Sequence, residues 1–148
     1  MNTFLSTCEL ESIIKGHYLD KLCTYLKQQV NLSNVFFEDS KDNNQEGIYV
    51  YTNENGYNYL FTERGTTRTH NISNDLFEIV YLVIENIVFD VALKYATENR
   101  EENKDFRRKL FEKEKELWSI LDEKGYLKKC LDIKNILEKN PFLDEQEF

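Results

Sequence analysis

Between Glu98 and Arg108, three arginines, two asparagines and four acids share eleven positions, with Phe106 among them and Phe111 just beyond. Guanidinium groups form bidentate hydrogen-bonded pairs with carboxylates, so Arg100, Glu102, Asp105, Arg107 and Arg108 are read as a structural ion-pair motif. The expectation is a network that locks a helix junction against Glu85 or Asp90. The alternative use is to face a partner with these charges.

Elsewhere the reactive residue types do not converge. Glu101 with Glu102, and Asp122 with Glu123, are sequence neighbours and point to different faces. His17 and Cys23 are six apart, about 240° around a helix, and make no nucleophile pair; a partly buried structural His17 is expected instead. The acids and amides of Glu38 to Glu46 lack the spacing and central glycine of a calcium loop. Cys8, Cys23 and Cys130 are odd in number and fit neither a disulfide framework nor a zinc site. With no nucleophile elbow, phosphate loop or metal-binding helix motif, no catalysis, metal or cofactor is expected.

Binding is the remaining chemistry. Tyr49, Tyr51, Tyr57 and Tyr59 crowd one hairpin, and tyrosine suits both strands and interface hot spots. Tyr49, Tyr51 and Tyr57, together with the acids Glu85 and Asp90, are the candidate partner-binding residues.

These side chains must be positioned by a small set of elements. Ser6 with Glu9 offers a capping box for a helix whose apolar positions run from Leu10 to Leu26 and on to Val30. Val35-Phe36-Phe37 predicts a short strand and Glu38 to Glu46 an exposed loop. Ile48–Thr52 and Tyr57–Thr62 bracket Asn55-Gly56, the strongest short hairpin signal. With Asn55-Gly56 as the loop, Thr52 opposes Tyr59 and Val50 opposes Phe61. Arg64-Gly65 predicts a second turn and Thr66 to Ile72 a third strand. Asn74 or Asp75 caps a helix that is apolar almost all round from Leu76 to Leu93, which places it mid-domain. Its polar residues Glu78, Glu85, Asn86 and Asp90 oppose a membrane span. Phe106 to Leu121 predicts another helix, broken at Lys124-Gly125. Tyr126 to Leu137 predicts the last, ended by Asn140-Pro141 ahead of an acidic tail expected to fray.

Length and composition fit one domain, 1–148, with 41% hydrophobic and 14% aromatic residues. The fold class expected is α+β, a small antiparallel sheet of three to four strands packed against about four helices. A net charge of −8 opposes nucleic-acid binding and suits a basic partner. Met1 to Leu5 carries no signal-peptide pattern, so the cytoplasm is the expected location.

Two blocks then stand out together: Tyr49-Val50-Tyr51-Thr52 through Glu54-Asn55-Gly56-Tyr57 to Glu63-Arg64-Gly65, and Asn99-Arg100 through Glu102-Asn103, Asp105-Phe106-Arg107-Arg108 and Phe111 to Lys113. With the ending Ile136 to Phe142, the chain resembles the bacterial polymorphic-toxin immunity proteins, the family numbered sixty-three. The resemblance implies an α+β protein encoded beside a secreted toxin, which it binds and silences. The net charge suits a basic nuclease as that toxin, whose identity and activity the resemblance does not give. A regulatory or scaffolding interaction module, or a small enzyme, are the competing classes. The sequence leaves the oligomeric state open.

Overall fold

The computed structural model describes residues 3–40 and 45–144. In chain order the elements are α1 (Thr7–Ile13), a π-helical segment (Ile14–Leu19), α2 (Asp20–Leu26), β1 (Val35–Phe36), β2 (Gly47–Asn53), β3 (Gly56–Glu63), β4 (Thr66–Ser73), α3 (Leu76–Glu98), α4 (Arg107–Leu121) and α5 (Glu123–Lys139). The class is α+β as expected, with a four-stranded sheet in the order β1-β2-β3-β4. Within the chain, residues pack into two compact units, Met1–Ile84 and Glu85–Phe148. Of the loop expected from Glu38 to Glu46, residues 41–44 lie outside the described residues, as does the acidic end 145–148.

In the first unit, Ser6 Oγ accepts from the Glu9 amide and Glu9 Oε1 accepts from the Ser6 amide, both at 3.1 Å. This capping box starts α1 where the sequence placed it. The π-helical segment adds an offset to the helix, so the 3.6-residue phase is not kept. Leu10, Ile14 and Leu22 stay buried, whereas His17 turns to solvent and not partly inward as expected. The helix stops at Leu26, short of Val30, because Lys27 adopts a left-handed φ of 58°. Val30 then donates its amide to Cys23 Sγ at 3.3 Å.

The hairpin register differs from the expected one. Thr52 pairs with Tyr57 and Val50 with Tyr59, which makes Glu54-Asn55 the loop. Asn53 Oδ1 accepts the Asn55 amide at 2.9 Å and starts the turn one residue early, while Gly56 alone takes positive φ. The slip is by two positions in pairing, so each side chain keeps its expected face. Arg64 and Gly65 both have positive φ, the type I′ signature, and close the β3–β4 hairpin. β1 runs parallel to β2, so the sheet is mixed and not wholly antiparallel. A side chain at position 47 would run into the Asn34 carbonyl, which accepts the Ile48 amide at 2.8 Å; glycine permits this close approach.

In the second unit, Ala92, Ala96, Leu110, Phe111 and Ile133 form a buried cluster, with Phe106, Leu137 and Phe142 packed on it. α4 ends at the extended Asp122, not at Lys124-Gly125. Asp122 Oδ2 accepts the Gly125 amide at 3.1 Å and so begins α5. Gly125 sits inside that first turn because Trp118 lies where its side chain would be.

Candidate interaction surface

The hairpin tyrosines are drawn into the first unit. Tyr49 and Tyr51 bury with Leu60, and Phe36 packs on them. Tyr49 donates its hydroxyl to the Gln45 carbonyl at 2.6 Å. Burial raises both phenol pKa values, with Glu38 adding to the effect on Tyr49 and Asp39 on Tyr51. Tyr57 accepts the Leu5 amide at 2.9 Å and meets Phe4 edge-on. The N-terminal strip is thereby pinned to the sheet.

β4 contrasts with this interior. Thr66 to Ile72 are all exposed, and the outer edge of the strand faces no other strand. His70 Nε2 ties the strand to Oδ1 of the buried Asn58 at 2.9 Å, and at its end Ser73 Oγ donates to Glu78 Oε2 and accepts the Asp75 amide. The pairing shifts between Phe61–Thr69 and Thr62–Thr67, which leaves Arg68 as a bulge residue on β4.

In the second unit the arginine-rich junction holds the chain's own C-terminal stretch. Arg107 pairs with Asp105 through Nη2 at 2.8 Å and donates to the Asn140 and Pro141 carbonyls, each at 2.9 Å. It caps α5 as well as binding a carboxylate. Asp105 also accepts the Leu143 amide at 2.8 Å. The Arg107 and Leu143 bonds hold its carboxyl below the usual range. Arg108 makes two 3.0 Å bonds to Asp144, whose carboxyl is lowered in turn, and stacks on Phe142 at 4.2 Å. Arg100 stacks on Phe106 at 5.9 Å, and Glu102 is exposed outside this network. Of the five residues expected to form the motif, Asp105, Arg107 and Arg108 come together and hold residues 140–144, not Glu85 or Asp90, whereas Arg100 and Glu102 stand apart from them. The first residues of the tail, Leu143 and Asp144, are its partners.

Glu85 has a different role from the one expected. Lys129 Nζ lies 2.6 Å from Glu85 Oε1 and 2.8 Å from Glu114 Oε2. Trp118 donates its indole N–H to Glu85 Oε2 at 2.7 Å. Burial, followed by the hydrogen bond shared with Glu114, pushes Glu85 up to about 7. Burial alone would lower Lys129, but its bonds to Glu114 and Glu85 outweigh that and leave it raised. Two carboxyls thus share one ammonium inside the unit. Neither Glu114 nor Lys129 stood out in the sequence. The available signal was Glu114 in register with Leu110, Leu117 and Leu121 on the apolar side of α4.

Asp90 remains exposed on α3. The junction also encloses a cleft of about 140 Å³ lined by Arg100, Lys104, Phe106, Arg108 and Lys109, among others. Among the described residues no group of three His, Cys, Asp or Glu side chains could hold a metal ion, and no helix is long and apolar enough to cross a membrane.

A family model described as immunity protein 63 matches residues 53–126, from the tip of the β2–β3 hairpin to the start of α5. No curated protein and no solved structure matches the chain.

Proposed function

The chain belongs to the immunity protein 63 family, and we propose on that premise that it neutralises the cognate secreted toxin of a polymorphic toxin system. Capture is stoichiometric, in the cytoplasm of the producing cell, and no bond of the toxin is broken. The observation that carries this reading is the family match over β3, β4, α3 and α4. In this reading Asp90 contributes an exposed carboxylate to the toxin-facing surface. Tyr49, Tyr51 and Tyr57 fix the strands of the first unit from within, and Glu85 the helices of the second. A net charge of −8 fits a basic toxin domain, such as a nuclease, as the partner. Co-expression with the toxic domain encoded beside this chain tests the reading. Growth should return only when the chain is made in at least equal amount. Rescue at a small fraction of that amount would point to turnover.

A further inference from the structure

We propose that the toxin docks by adding a β-strand to the outer edge of β4; this rests on the toxin-binding reading above. Proteins usually blunt a sheet edge with a very short strand, a proline, charged side chains such as lysine, a bulge or a covering element. The β1 edge follows this rule, being two residues long. The β4 edge is eight residues long and carries one bulge and one charge, both at Arg68, but no proline or lysine, and among the described residues no strand pairs with its outer side. Its bulge at Arg68 interrupts the strand once and leaves Thr69–Ser73 in regular pairing with β3. Five residues are an ordinary strand length, and their outward amides and carbonyls are a template for main-chain hydrogen bonds. Ile72, half exposed on this stretch, offers apolar area to an incoming strand.

Charge decides what the edge accepts. From Arg64 to Ser73 the chain has two arginines and a histidine and no acid, although the whole molecule carries −8. Among the described residues neither guanidinium has an ion-pair partner. Two copies joined edge to edge would set beside one another two stretches that each carry Arg64 and Arg68 and no acid. The occupant is therefore a toxin strand of neutral to acidic composition, with a carboxylate opposite Arg68. Long-range attraction of a basic toxin body by the acidic remainder of the chain is compatible with an acidic strand at this contact.

Amide hydrogen exchange on the full chain, with and without the purified toxic domain encoded beside it, tests the proposal. Strand addition should protect every second amide within Thr69–Ser73. A proline placed at one of these amides that exchanges fast in the free chain removes an outward donor and no β3 bond. It should weaken binding about tenfold or more, and Arg68→Glu should weaken it too. Protection confined to other elements, or full affinity in the proline variant, would overturn the docking mode while leaving toxin binding intact. Alternate-amide protection in the free chain that grows with its concentration would assign the edge to a second copy and overturn it as well. No binding by the unmodified chain would overturn the toxin reading, and the docking mode with it.

Discussion

Glu85, Glu114 and Lys129 show how burial turns ordinary side chains into a coupled cluster in which one ammonium serves two carboxyls. Glu85 titrates near 7 in the fold and near 4.3 in an unfolded chain. A raised carboxyl binds more protons when folded, so its contribution to stability falls as pH rises through this window and is lowest above it. Glu85→Gln should flatten that slope, as read by denaturant unfolding at pH 5 and pH 8; an unchanged slope would place the proton elsewhere. Lys129→Met leaves two carboxyls without their ammonium and should cost about 3–5 kcal/mol, the usual loss on breaking a buried pair. Asp105 behaves oppositely. Its lowered carboxyl contributes stability that is complete above the ordinary range and lost as pH falls below about 4. Asp105→Asn should therefore release residues 140–144, seen as faster exchange of the Leu143 amide with little change in the first unit. The ion-pair motif was legible because arginine and carboxylate crowd one stretch. Its partners were not, because Asp144 and the carbonyls of Asn140 and Pro141 lie more than thirty residues away, and local spacing carries no such distance.

At the scale of elements, caps and turns decided more than propensity. Ser6 and Arg64-Gly65 announce a helix start and a turn directly, and of the two caps expected for α3, Asn74 or Asp75, Asp75 Oδ1 accepts the Phe77 amide at 3.0 Å. The hairpin loop and the α4–α5 break were misplaced for one shared reason. Gly56 and Gly125 read as the turning residues, while a side-chain oxygen three residues earlier, from Asn53 or Asp122, does the turning. Gly125 is instead a packing residue. Gly125→Ala would normally help a helix by about 1 kcal/mol. Here it must displace the Trp118 ring, so a net loss of about 1–3 kcal/mol is expected from overpacking. A stabilised variant in thermal unfolding would show that the ring has room to move. The π-helical segment left no trace in periodicity, nor did the parallel direction of β1, which is set by its pairing with β2.

For the whole molecule, the acidic excess lies outside the arginine-rich junction. Residues 74–98 hold five acids and one lysine. Such a field speeds the meeting of opposite charges far more than it tightens the complex, and salt beyond ~0.1 M screens it within about 10 Å. Association with the toxic domain should slow several-fold between roughly 20 and 500 mM salt. A flat rate would remove long-range steering and leave short-range contacts, such as the β4 edge, to set recognition. Class and family were readable from paired sequence blocks. The exposed β4 edge was readable only as a strand, because exposure is a property of what fails to pack against it.

Titrating the purified toxic domain with the purified chain, and following residual toxin activity, measures the central claim most directly. The account expects activity to fall linearly and reach its floor at one chain per toxin, with the toxin recovered intact when the complex is dissociated. Complete loss of activity at a few per cent of one equivalent, or a toxin that stays inactive after separation, would contradict it.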